Sequence, residues 1–454
     1  MKGSRLAKVL TTGLLTLGLT LTASADVVNV TKTETSEVAS GVTLTINEGA
    51  AVNDRPQVTY VLEADPTKTA LLIGGPVLNK SLVPDMKPIT DAGEQTVIAA
   101  VNGDHFSFKT GIPMGMSISD GEIVTSPIPA YNADDYYFHA LGLKADGTVV
   151  SGENPTLYMQ YTVGEHTGTI DRINRTRENW EGGQICLYTT RYGESTDTNA
   201  TGVDFVVRVD EGRVAAGSEM KGTIVSMDED GDAPIEEGHV VLSISWLQHL
   251  EVEALKVGDE LEFYFGFEQE EWNDVTFAVG GNRVAITDGV AEDFGYTVGA
   301  FTAAAPRTAL GLKADGTIVL AAVDGRSEIA GGLTANEMTQ YLLELGCTDA
   351  ILLDGGGSTA MATADANGVL QTVNVPSEER PVGNGVVLVA RENVTNTEDA
   401  QPDVQGGTAD NGEDADATKD KSSDTTLWWI CGAIAAAVVL AGAVVVVVVL
   451  RKKE

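Results

Sequence analysis

The sequence predicts an α+β fold: mixed β-sheets with a few packed helices, a β-rich inserted domain and a C-terminal transmembrane helix. Three observations carry it. Short apolar runs ending in glycine or Asp-Gly turns recur through residues 26–391 and read as strands. LGLKADGTVV at Leu141–Val150 returns as LGLKADGTIV at Leu310–Val319, identical at nine of ten positions, and each copy spells strand, Asp-Gly turn, strand. These copies are expected to form equivalent hairpins in two halves of one sheet system, separated by an insertion. One helix is placed by its punctuation. Thr334-Ala335-Asn336-Glu337 is a capping box, Met338, Tyr341, Leu342 and Leu345 recur at helical spacing, and Gly346 supplies the stop. Glu337 therefore reads as a capping carboxylate.

The ends have their own logic. Lys2, Arg5 and Lys8, an apolar stretch from Val9 to Leu21 and Ala23-Ser24-Ala25 read as a secretory leader over residues 1–25. Leu427–Leu450 is 24 residues without a charge, enough to cross a hydrocarbon core of about 30 Å. Trp428 and Trp429 suit the outer interface, and Arg451, Lys452 and Lys453 mark the cytoplasmic tail, residues 451–454. Residues 392–426 read as an acidic disordered stalk: Thr395–Thr426 holds nine Asp or Glu against two Lys and almost nothing apolar. The expected location is the cell membrane, single-pass, with the ectodomain outside.

Composition narrows the chemistry. The net charge of −37 argues against nucleic acid and anionic lipid as partners. Cys186 and Cys347 could make one bridge at most, because Cys431 lies in the apolar span. The five histidines, His105, His139, His166, His239 and His249, show no zinc-hydrolase spacing. No cofactor is expected, although so many acids leave room for a divalent cation. Residues 26–391 are enough for two domains. The first is assigned to residues 26–150 and 275–391 together, and the second to the β-rich insertion 151–274. Tyr188–Thr198 within that insertion reads as a solvated loop, with a place near the site as the alternative.

The most informative stretch is Ala350–Met361, AILLDGGGSTAM. A buried strand ends on Asp354, then three glycines let backbone N–H groups approach a bound group. Three other segments place polar residues at strand ends. Val97–Val101 runs into Asn102-Gly103-Asp104-His105. Pro306-Arg307 opens the second hairpin, which closes into Asp324-Gly325-Arg326. Arg380-Pro381-Val382-Gly383-Asn384 precedes the final strand, Val386–Ala390. Carboxylates, arginines and glycine-loop N–H groups together suit an anion bound beside acid–base chemistry.

NGDHF, PRTALG, VDGR, GLTANEMTQYLLELG, LLDGGGSTAM and RPVGNGV, in that order, resemble the phosphodiester glycosidase family. The resemblance covers about 38–150 and 275–391, with one departure: the family carries an aromatic where this chain has His105. It implies hydrolysis of sugar-1-phosphodiesters of the N-acetylglucosamine type, on a glycan or glycolipid substrate, releasing free sugar and a phosphomonoester. The implied catalytic residues are Asp354, with Asp324 or Asp104 as its partner. Substrate and phosphate binding fall to Asn102, His105, Arg307, Arg326, Gly355, Gly356, Gly357, Ser358, Thr359 and Asn384. The residue types fit, because a phosphate leaves as a stable anion and needs neutralising more than protonating. The alternative is a non-catalytic carbohydrate-binding surface protein using the same cleft.

Overall fold

The computed structural model describes residues 27–51, 54–128, 139–177, 183–294 and 299–391. The expected leader, stalk, apolar span and tail lie outside them. Of the described residues, 50 % are strand and 9 % helix, which corrects the α+β expectation: the fold is mostly β. The helices are short, His249–Glu253, Gly299–Thr302 and Ala335–Glu344. Among the described residues none is long and apolar enough to cross a membrane, so no transmembrane helix stands among the observed elements. The physical reason is run length. Apolar stretches of four to eight residues cut by Asp-Gly and Gly turns are too short to nucleate helices but match strands well.

Four sheets form among the described residues. The largest runs Asn29–Ala39, Val42–Ala51, Arg55–Ala64, Ile318–Val323, Arg307–Lys313, Cys347–Leu352, Arg283–Thr287 and Val290–Ala291. Helix Ala335–Glu344 covers one face of it, burying Ala335, Met338, Tyr341 and Leu342 with Val61, Ala309, Val319 and Leu352. Its capping box is closed as expected: Glu337 N–H donates to Thr334 Oγ1 (3.1 Å), and Glu337 Oε2 accepts from Thr334 N–H (2.7 Å). Arg55 pairs with the same carboxylate at 2.7 Å. A second eight-stranded sheet is built from residues 157–267, with its core around Tyr161, Phe205, Phe263 and Phe265. Its strands are antiparallel apart from the parallel pair Arg172–Ile173 and Ile185–Tyr188.

Two five-stranded sheets complete the frame. One holds Ser117–Ser119, Val275–Gly281 and His139–Lys144 at its centre, and the other is centred on Val97–Asn102 between Met361–Ala364 and Gly385–Ala390. The two LGLKADGT copies do form matching hairpins. Gly147 N–H donates to Lys144 O (3.0 Å) and Gly316 N–H to Lys313 O (2.8 Å), each glycine taking the positive φ that ends this turn. They lie in different sheets, however. The first belongs to a five-stranded sheet and the second to the large one.

The sheets meet where the chain crosses between them. Val275–Gly281 leaves a five-stranded sheet, and Arg283–Thr287 enters the large one beside Cys347–Leu352. Asn282 is the residue between. Val97–Asn102 ends against the same seam, because Asn102 reaches the chain beyond Leu352.

Candidate active site at the seam of three sheets

Asp354 is set by backbone on both sides. Its N–H donates to Gly103 O (2.9 Å), and its carbonyl accepts Asn102 Nδ2–H (2.7 Å). Asn102 Oδ1 in turn accepts Thr308 Oγ1–H (2.7 Å) and Ala360 N–H (3.1 Å). Asn102 is fully buried and therefore acts as a clamp between three segments. The Asp354 carboxylate points at His105, with Oδ1 3.1 Å from Nδ1, and the two side chains keep 13 % and 25 % of their surface accessible. The other ring nitrogen of His105 contacts Asn282 Oδ1.

Asp104 lies beneath this pair. It is buried, with Oδ1 accepting the His105 N–H (2.7 Å) and Oδ2 accepting the Gly115 N–H. Burial pushes its carboxyl up to about 6, against the pull of His105, the two N–H donors and Arg175. A Cβ on Gly115 would sit 2.6 Å from Asp104 Oδ2, so only glycine fits there. Arg175, from the residue 157–267 region, donates to Ser126 O (2.5 Å), Met114 O (3.2 Å), Gly115 O (2.9 Å) and Pro113 O. Burial lowers its guanidinium to about 9. The peptide unit joining Met114 and Gly115 thus lies between a buried cation and a buried carboxylate, accepting from one and donating to the other.

The glycine loop forms the cationic side of the site. Gly356 adopts φ +63°, and a Cβ there would lie 3.0 Å from Arg326 Nη2. Arg326 itself sits at φ +59° and has no ion-pair partner among the described residues. Arg307, buried at the start of its strand, donates to Leu333 O (2.9 Å) and Ala303 O (2.8 Å). Burial first, and Arg326 second, lower its guanidinium to about 10. Arg380 donates to Ser358 Oγ (3.3 Å), pairs with Glu378 (2.6 Å) and lies 5.5 Å over the Phe108 ring. Thr359 is buried beside Ser358. Phe108 is 67 % exposed and packs 5.1 Å from Phe106.

Not every predicted residue joins this cluster. Asp324 is buried, and its oxygens accept from Tyr60 Oη (3.1 Å), Asn374 Nδ2 (2.9 Å) and Val375 N–H (3.1 and 3.2 Å). Burial raises its carboxyl above the usual range. The arrangement makes Asp324 a brace for the 374–375 segment. Asn384 is likewise consumed: Oδ1 accepts Asp104 N–H (2.9 Å), its carbonyl accepts Gly103 N–H (2.9 Å), and Nδ2 donates to Ser117 Oγ (3.2 Å). Of the three candidate carboxylates, only Asp354 is both accessible and beside the glycine loop.

Sequence reasoning missed Asn282 and Arg175 and did not carry Arg380 or Phe108 into the site. Arg380 stood in a noted segment, and its charge four residues before Asn384 was the available signal. Tyr188–Thr198 lies elsewhere: Arg191–Ser195 and Asp197 line a cleft of about 580 Å³ with Pro76–Asn79, and no candidate residue borders it. Arg191 in that cleft is already paired with Asp91 and with Glu122 (2.8 Å). The chemistry therefore points to Asp354. Among the described residues no group of three or more His, Cys, Asp or Glu could hold a metal ion. Cys186 and Cys347 are free and buried, so they form no bridge.

Residues 201–389 match the family model of the phosphodiester glycosidases, which bears out the family resemblance over 275–389 and also takes in residues 201–274, which the resemblance had left to the insertion. The match takes in Asn282, Arg307, Arg326, the Asp354 loop, Arg380 and Asn384, and leaves out Asn102–His105 and Arg175. Over 204 residues, 38 % of this chain, the sequence is 29 % identical to the SPbeta prophage-derived uncharacterized protein YomE of Bacillus subtilis (strain 168). The match spans 31 % of that relative's length. A hypothetical protein from Synechocystis has a similar structure (TM-score 0.58, 18 % identity), covering 79 % of this chain and 64 % of that one. A protein from Burkholderia pseudomallei K96243 is similar at TM-score 0.52 and 20 % identity, covering 74 % of each chain. At these identities the structures share the fold.

Proposed function

We propose that this protein hydrolyses sugar-1-phosphodiesters, with Asp354 as the carboxylate facing the anomeric carbon and the glycine-loop arginines holding the phosphate. The observation that carries the reading is the convergence of Arg307, Arg326 and Arg380 on the loop that directly follows Asp354. The phosphodiester glycosidase match over residues 201–389 supports the same reaction type. Breaking the C1–O bond leaves the bridging oxygen on phosphorus, and water supplies the new anomeric hydroxyl. Guanidinium groups stabilise the departing dianion, and a carboxylate stabilises the cationic sugar carbon. Phe108, exposed beside Arg380, offers a ring face to a sugar. The leader-like sequence of residues 1–25 supports action outside the cytoplasm.

The test is release of free sugar from a panel of sugar-1-phosphodiesters led by N-acetylglucosamine. Asp354→Asn should lower kcat by roughly a hundredfold or more. Arg326→Ala, which removes an exposed side chain with no ion-pair partner among the described residues, should lower kcat/KM while leaving the fold intact. Binding of the panel without turnover by the wild-type protein would replace this reading with carbohydrate binding.

A further inference from the structure

His105 stands between two acceptor side chains, and the geometry decides what its ring can do. Asn282 is 5 % exposed, and its backbone N–H donates to Leu352 O (2.8 Å). Its side-chain Nδ2 donates to Leu353 O (2.8 Å). That bond fixes the amide orientation, since a flipped amide would set its oxygen against a carbonyl oxygen. Oδ1 is therefore the atom that meets His105 Nε2, and the contact is a hydrogen bond only when Nε2 carries the hydrogen. Nδ1 is left facing Asp354 Oδ1 at 3.1 Å, where one proton must lie between the two atoms.

We infer that Asn282 is a positioning residue: it keeps one proton on Nε2 of His105, so that a second proton, on Nδ1, is donated to Asp354 and holds it as an acceptor carboxylate. Both ring nitrogens are engaged, so His105 does not itself deliver a proton to substrate. Asp354 is cast as the base or nucleophile of the proposed hydrolysis and not as its general acid. The charged groups packed around the ring agree. Asp354 faces it from the end of Cys347–Leu352, Asp104 accepts its backbone N–H from below, and Arg175 lies one peptide unit beyond Asp104. The catalytic half of this inference rests on the proposed function, whereas the proton placement does not.

Long-range proton–nitrogen spectra of the full-length protein, labelled at histidine, test the placement directly. His105→Phe identifies the His105 signals among the five histidines. The expected wild-type result is a protonated Nε2, with Asn282→Ala losing that proton while Nδ1 keeps its own against Asp354. An unprotonated Nε2 in the wild type, or an unchanged spectrum in Asn282→Ala, overturns the inference whatever the enzyme does. On a turned-over substrate, both variants should lower kcat roughly tenfold to hundredfold, the loss of one charge-assisted hydrogen bond, with KM little changed. If Asn282→Ala fails to fold, the wild-type spectrum and His105→Phe decide, and a His105→Phe enzyme with unchanged kcat refutes the role.

Discussion

Asn102→Ala probes the clamp that places Asp354. The substitution deletes three hydrogen bonds: Nδ2 to Asp354 O (2.7 Å), and Thr308 Oγ1 (2.7 Å) and Ala360 N–H (3.1 Å) to Oδ1. Each orphaned buried group costs roughly 1–3 kcal/mol, and partial relaxation recovers some of it. The expected destabilisation is about 3–5 kcal/mol. Thr308→Val removes one of the three bonds and should cost about 1 kcal/mol. In the Asn102→Ala background, Thr308→Val should cost nothing, because the hydroxyl it deletes has already lost its acceptor. Equilibrium urea unfolding of the four proteins closes the cycle, with an expected coupling of about 1 kcal/mol. A loss below about 1 kcal/mol for Asn102→Ala, or an equal cost of Thr308→Val in both backgrounds, would refute the clamp.

Asp104 should leave a mark on the pH dependence of stability. Its folded value, about 6, lies above the unfolded value near 3.9, so its contribution is present below about pH 4 and lost as pH rises through about 6. Wild-type stability relative to Asp104→Asn should fall by on the order of 3 kcal/mol between pH 4 and 7, and a flat difference in urea unfolding contradicts the burial argument. Two glycines should behave oppositely. Gly115→Ala drives a Cβ to 2.6 Å from Asp104 Oδ2 and 2.8 Å from Gly280 Cα, both buried, and should cost several kcal/mol in thermal unfolding. Gly357→Ala meets only the mobile ends of Arg380 and Glu378, so stability should change by less than about 1 kcal/mol. Inhibition by inorganic phosphate should nevertheless weaken, and unchanged inhibition would exclude Arg380 from the anion site.

What could be read from the chain was local. The capping box at Thr334 and the Asp-Gly turns after Lys144 and Lys313 are decided within five residues, and each formed as expected. The fold class was misjudged because one well-punctuated helix of ten residues says nothing about how many others exist. Asp324 looked like site chemistry because the eye meets Asp-Gly-Arg as a unit. Tyr60, 264 positions away, and Asn374 take its oxygens instead. Asn282 was invisible for the converse reason. Its partner His105 is 177 residues distant, and a lone asparagine between two strands carries no spacing signal.

Arg175 changes how this protein could be shortened. Val149–Glu153 and Val275–Gly281 both pair with His139–Lys144, so splicing out residues 157–267 looks like a clean excision that brings adjacent strands together. The cut would also remove the donor that holds the carbonyls of Pro113, Met114, Gly115 and Ser126, and with it a buried cation that acts on Asp104. A minimised version must therefore graft an arginine, or an apolar replacement for both charges, before the lobe can be dispensed with. By the same reasoning, a lobe exchanged between relatives would travel intact only with the residue that reaches back into the seam.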